Sequence, residues 1–181
     1  MARRSLMLGM LTCWLAILAV ASQPSLVWLD VPFVQQEKNA CGAASISMLM
    51  QYLAQQQGKT ADAAANAVAI QHQLYSSKAQ GIFASDLQRY IEEHGFRTFV
   101  FHGGWDDLKQ HLAKGRPLII ALGEDGRRDP LHYVVVAGLD SDQRLVMIND
   151  PARRKLMKVN WQEFERDWAI TDHWTLLGIP R

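Results

Sequence analysis

A single cysteine opens the chemistry. In Gln35-Gln36-Glu37-Lys38-Asn39-Ala40-Cys41-Gly42-Ala43-Ala44-Ser45-Ile46-Ser47-Met48-Leu49-Met50, a polar approach meets Cys41 and runs at once into an apolar, small-residue stretch. The spacing predicts a helix over 41–55, with Ala44, Met48 and Leu49 on one buried face and Ile46, Met50 and Leu53 widening the stripe. Cys41 then sits at the first helical turn, where backbone N–H groups lack partners and the helix dipole is positive. That field favours thiolate, the nucleophilic form of the side chain. Gly42 is read as leaving room for a substrate backbone.

A nucleophilic sulfur needs a base that later acts as a proton donor, and histidine suits both tasks near neutral pH. The chain offers His72, His94, His102, His111, His132 and His173. His94 and His111 fall at the polar sides or ends of predicted helices. His72 lies in a Gln-rich stretch, His102 beside a Gly-Gly turn, and His173 next to Trp174 in a packed setting. His132 differs because it opens the apolar run HYVVVAG directly after a polar loop. A ring there can be exposed at the mouth of a strand whose backbone is held in a sheet.

A hairpin supplies the third group. If 131–139 and 144–149 pair around the turn Asp140-Ser141-Asp142-Gln143, the start of the first strand meets the end of the second. His132 then comes close to Asp150, and a carboxylate there orients the imidazole and stabilises its cation. Asn149 is the alternative third member, since an amide also orients a ring. An oxyanion needs a neutral donor beside the nucleophile's own N–H, and Gln35 or Gln36 lies close enough upstream to provide it.

The elements that must position these groups follow in order. Leu26–Phe33 reads as a short strand ended by Pro32. Gly58 stops the cysteine helix, and Thr60 is read as the cap of a second helix reaching toward Tyr75. DLQRYIEEHG is a third helix, 96–101 a strand, and Gly103-Gly104 the entry to a helix closed by Gly115. PLIIAL from Pro117 is a continuous apolar strand. Gly123–Pro130, with Glu124, Asp125, Arg127 and Arg128, reads as a polar loop that shapes the cleft or is simply solvated. Strands at 131–139, 144–150 and 155–160 follow, then a helix capped by Asn160 and a last strand in TLLGI. Helices first and hairpin-connected strands afterwards predict an α+β fold with an antiparallel sheet.

Composition sets the class. The 181 residues are 49% hydrophobic and 20% charged, a globular balance for one domain with a sizeable core. With 19 basic and 18 acidic residues, no basic stripe marks a nucleic-acid partner. Residues 1–21 form a separate unit. Arg3 and Arg4 precede an apolar run from Leu6 to Val20, and Ala19-Val20-Ala21 gives a small-x-small cleavage site. The expectation is a signal peptide over 1–21 and one domain over 22–181, exported to the periplasm or secreted. Membrane contact would come only through the leader, if it stays uncut. Cys13 leaves with that leader, and one unpaired thiol in an oxidising compartment reads as reactive. A lone Cys with scattered His shows no zinc-ligand spacing.

The combination VPFVQQEKNACGAAS, LHYVVVAG and INDPA resembles the C39-type papain-like cysteine peptidases, familiar from the double-glycine leader-processing domains of bacteriocin exporters. The resemblance implies a papain-like fold, with a helical N-terminal part carrying the nucleophile and a C-terminal antiparallel sheet. It implies a peptide or protein substrate and no cofactor or metal. It assigns Cys41 as nucleophile, His132 as general base and Asp150 as the orienting residue. Gln36 matches the oxyanion glutamine of stand-alone members, and Gln35 matches if the spacing follows the exporter domains. Ala43 stands where many members carry proline. No G-x-x-x-x-G-K-[ST] motif occurs in these residues, so the expectation is not a transporter, and the double-glycine substrate rule is put in doubt. The implied activity is peptide hydrolysis through a thioester. The alternatives are acyl or amide transfer by the same triad, or a peptide-binding domain without turnover.

Overall fold

The computed structural model describes residues 25–124 and 126–181; the expected leader lies outside them. In chain order the elements are β1 (Leu26–Trp28), α1 (Cys41–Gln56), a 3-10 turn (Ala63–Ala65), α2 (Ala67–Leu74), α3 (Ala84–Glu93), β2 (Phe96–His102), α4 (Trp105–Ala113), β3 (Leu118–Glu124), β4 (Arg127–Asp140), β5 (Leu145–Asn149), β6 (Met157–Asn160), α5 (Trp161–Ala169) and β7 (Trp174–Pro180). The strands form one antiparallel sheet in the order β2-β7-β3-β4-β5-β6, and β1 pairs with the far end of β4. The α+β expectation is met, as helices against an antiparallel sheet.

Both faces of this sheet are covered. Ile119, Ala121, Tyr133, Val135, Ala137 and Leu176 pack under α1, α2 and α3. The alternate residues Leu118, Ile120, Val134, Val136 and Leu177 pack with Leu108, Phe164 and Trp168 of α4 and α5. Burial on two sides is why PLIIAL and YVVVA read as unbroken apolar runs rather than alternating ones. The two helices read later in the chain, α4 and α5, close the second face.

The cysteine helix is more deeply set than a one-sided stripe implies. Every residue from Cys41 to Met50 is buried. Small side chains allow this, and the two serines spend their hydroxyls on backbone oxygens: Ser45 Oγ donates to Tyr133 O at 3.2 Å and Ser47 Oγ to Ala65 O at 2.6 Å. Gly42 is part of this packing. A Cβ added there would stand 3.2 Å from Ile82 Cβ and 3.4 Å from the Tyr133 ring. Its missing side chain lets α1 pack closely against Ile82 and Tyr133.

Three local expectations are also corrected. Thr60 caps nothing; Asp62 caps the 3-10 turn and Asn66 accepts from Ala69 N–H at the start of α2. β1 ends at Trp28: Leu29 N–H still donates to Ala137 O in the ladder's register, but Val31 N–H turns back to Leu29 O. The polar loop over 123–130 is mostly strand. β3 and β4 run on to pair Glu124 with Arg127, and Gly126 takes a positive φ of +73° in the connection. Between the pairs Leu122–His132 and Glu124–Arg127, β3 advances two residues while β4 advances five. The excess bulges out of β4, and it contains Pro130, which could not have donated to a ladder.

Candidate active site

Cys41 is the first residue of α1 and is 8% exposed. The helix start carries no side-chain cap and no acidic residue in its first turn. Its leading N–H groups are therefore not competed for by a local carboxylate. The bulge in β4 brings the Leu131 carbonyl to 3.7 Å from Cys41 Sγ, where it accepts the thiol hydrogen. The nucleophile is thus fixed from two sides, by α1 and by the strand that carries His132.

The hairpin geometry expected from the sequence is present. β4 and β5 pair from Asp140–Leu145 to Val135–Asn149, with a one-residue bulge at Ala137. β5 ends there while β4 continues, so the turn after Asn149 faces the exposed end of β4. His132 Nε2 lies 2.9 Å from Asp150 Oδ1. The Cys41 side chain is near enough to the ring to pull its pKa upward. With Nε2 engaged by Asp150, Nδ1 is the ring nitrogen left for the sulfur. Three residues remote in sequence meet through one imidazole.

The electrostatics follow from the contacts. Burial disfavours a charged ring, but the hydrogen bond and charge of Asp150, with the Cys41 side chain beside the ring, outweigh it. The His132 pKa is raised from 6.5 to about 10. For Asp150, burial acts upward and is overcome by the hydrogen bond and charge of His132, by the Ala152 N–H and by Arg153. The carboxyl is held below its ordinary value. Ala152 N–H donates to Oδ1 at 2.9 Å, and Arg153 Nε stands 3.5 Å from Oδ2. The sequence reading missed both partners; the Asp-Pro turn that supplies them was the available signal.

Asn149, the alternative orienting residue, is committed elsewhere. Fully buried, it donates from Nδ2 to Val31 O at 3.2 Å and accepts at Oδ1 from Leu156 N–H at 2.9 Å. It ties the approach to Cys41 to the loop beyond Asp150. Pro151 O strengthens the tie by accepting from Gln36 N–H at 3.0 Å and from Gln35 Nε2 at 2.8 Å. Gln35 is exposed, with its side-chain amide turned to that carbonyl. Gln36 is half-buried, and its Oε1 is buried without a hydrogen-bond partner among the described residues.

The remaining histidines stand apart from this cluster. His173 packs edge-on to Trp168 and lies 2.7 Å from Glu165, His94 Nδ1 meets Tyr90 O, and His102 Nδ1 meets Asp172 O. His111 is held neutral, its pKa lowered by burial and by Arg116 and Lys114 against the smaller opposing pull of Asp107. A cavity of about 550 Å³ reaches His132 and Asp150 from the α5 side. Another, of about 420 Å³, lies between residues 77–83 and Pro130–Leu131.

Comparison with known proteins agrees with this architecture. A candidate C39-like peptidase from Bacillus anthracis superposes with a TM-score of 0.66 at 18% identity, over 86% of this chain and 98% of that one. A double glycine motif protease from an AMS/PCAT transporter, solved with its leader peptide, gives 0.62 at 23% identity over 86% and 95%. The peptidase domain of Streptococcus ComA, a bifunctional ABC transporter involved in quorum sensing, gives 0.61 at 19% identity over 82% and 97%. At these identities the likeness shows the fold. No curated protein sequence matches the chain significantly. A family model described as Peptidase_C39 like matches residues 28–175, which hold the whole cluster of Cys41, His132 and Asp150, and the chain belongs to that family.

Proposed function

We infer that this protein is a cysteine peptidase that cleaves peptide bonds through a thioester. The observation that carries the reading is the imidazole of His132 bonded to Asp150, on the strand whose Leu131 carbonyl meets the Cys41 sulfur at the start of α1. The Cys41 thiolate attacks the carbonyl carbon, and the carbonyl electron pair moves to oxygen. The Cys41 N–H at the uncapped start of α1 and the Gln36 amide donate to that oxyanion. His132, as imidazolium, gives its proton to the departing amine as the C–N bond breaks and the thioester forms. Neutral His132 next removes a proton from water, which attacks the thioester and frees the acid and the thiolate. Asp150 holds the ring and its charge throughout. Gln36 is favoured over Gln35 because the Gln35 amide already donates to Pro151 O. The leader-like features of 1–21 support export of the domain as part of the same reading.

A peptidyl electrophile that alkylates thiols tests the core of this reading. Mass spectrometry should find it on Cys41 of the wild type, with labelling at least a hundredfold slower in His132→Ala. Equal labelling of the two proteins refutes the mechanism. Product analysis with an added amine separates hydrolysis from acyl transfer to that amine.

A further inference from the structure

β2 is one edge of the sheet, with β7 on its inner side and no strand on its outer side among the described residues. It pairs with β7 from Phe96–Pro180 to His102–Trp174 without a register shift. Just beyond the two ends, Arg181 N–H donates to Gly95 O and Gly103 N–H to His173 O. Backbone bonding alternates along an antiparallel ladder, so the odd-numbered residues of β2 face β7. The N–H and C=O groups of Thr98, Val100 and His102 therefore point outward. Arg181 Nε reaches round to Phe96 O at 3.1 Å and closes the outer edge at that end.

The edges of this sheet are guarded unequally. β6, on the far edge, is four residues long and exposes Lys158, and β1 is three residues long. Short strands, lysines, prolines and bulges keep the edges of monomers from pairing with other chains. β2 uses none of these devices. It is seven residues long, FRTFVFH, and its ladder is regular. Its one residue of fixed charge, Arg97, lies before the open stretch 98–102. At mid-strand Phe99 is 48% and Val100 41% exposed, one on each face of the sheet.

We propose that β2 pairs with β2 of a second copy of this chain, antiparallel about a two-fold axis at Val100. The open stretch is complementary to itself. Reversed about Val100, that residue meets its own equivalent, Thr98 meets the partner's His102, and each outward N–H finds a C=O. Phe99 falls opposite the partner's Phe101, an aromatic cross-strand pair. Charge agrees with this direction. Arg97 is exposed at the start of β2 and Asp106 is exposed just past its end, so antiparallel pairing brings the arginine end of each copy to the aspartate end of the other. β7 and β3 stand between β2 and the strand that carries His132, so both active sites stay open. The dimer does not depend on the peptidase reading.

Position-specific cross-linking tests it. In the full chain with Cys13→Ser and Cys41→Ser, Val100→Cys leaves one thiol on the axis. A hydrogen-bonded antiparallel pair sets its Cα atoms about 5.5 Å apart, a span that a disulfide bridges. Mild oxidation should link most of that chain into dimers. Arg97→Cys in the same background should link at least tenfold less, because its two copies lie roughly 20 Å apart along the paired strands. Sedimentation of the full chain, in mild detergent to shield residues 1–21, gives the second readout. Val100→Lys sets two ammonium groups opposite each other and should weaken association at least tenfold, with the thermal midpoint kept within a few degrees. Equal linking at the two positions, linking at neither, or a folded Val100→Lys chain that associates like the wild type overturns the dimer. So does a wild-type chain that stays monomeric up to about 1 mM.

Discussion

Replacing Asp150 by asparagine removes a charge and almost nothing else. Oδ1 is the atom that meets both His132 Nε2 and Ala152 N–H, so an asparagine oxygen in that place keeps both bonds. The new amide nitrogen falls where Oδ2 was, beside Arg153, whose side chain is 66% exposed and free to turn away. Only 12% of the His132 side chain and 4% of Asp150 are exposed, so solvent screens their attraction little. The rise from 6.5 to about 10 is worth roughly 5 kcal/mol in favour of the imidazolium, shared between Asp150 and Cys41 against burial. Loss of one close opposite charge lowers a pKa by about one to three pH units, or roughly 1.4–4 kcal/mol. The titration midpoint of His132, followed by the Cε1 chemical shift of the labelled ring, should fall by that amount in Asp150→Asn. The stability difference between the two proteins should follow the same groups. His132 has a folded pKa above its unfolded one, so its contribution is complete below pH 6.5 and is lost as pH rises through about 10. Asp150 has a lowered folded pKa, so its contribution is present above 3.8 and is lost as pH falls through the folded value. The deficit of Asp150→Asn is therefore greatest between these limits and closes at both ends. An unmoved His132 midpoint in a folded variant refutes the account of the site.

Two further substitutions probe the scaffold. Asn149→Ala strands Val31 O and Leu156 N–H in the interior, and at about 1–3 kcal/mol each the loss should be about 2–6 kcal/mol by chemical denaturation; unchanged stability would show that Asn149 is not the tie between these loops. Gly103→Ala places a Cβ 2.6 Å from Thr175 Oγ1 and 2.8 Å from the buried Trp168 ring, so about 1–3 kcal/mol should be lost, and a neutral result would mean that α5 moves aside freely.

Much of the site was legible in the chain because its signals are local. Cys41 stands at a helix start, and His132 and Asp150 at facing ends of a hairpin, so short-range pairing rules suffice to bring the last two together. The helix and strand runs were equally readable, since their apolar patterns have lengths and flanks that favour one element. What depended on distant parts of the chain was misread. Thr60 reads as a cap as well as Asn66 does until the 3-10 turn places Asp62 and Asn66 at the two helix starts.

The sequence by itself determined which groups could react and the order of elements that carry them, because residue type sets chemistry and hydrophobic spacing sets local structure. Only the tertiary structure shows which of Asp150 and Asn149 meets the His132 ring, and how the two glutamines are engaged. Adjacent residues of one turn have equal access on paper. In the folded chain Asn149 is spent on Val31 and Leu156, Gln35 is spent on Pro151, and the carboxylate that remains is the one that meets the ring.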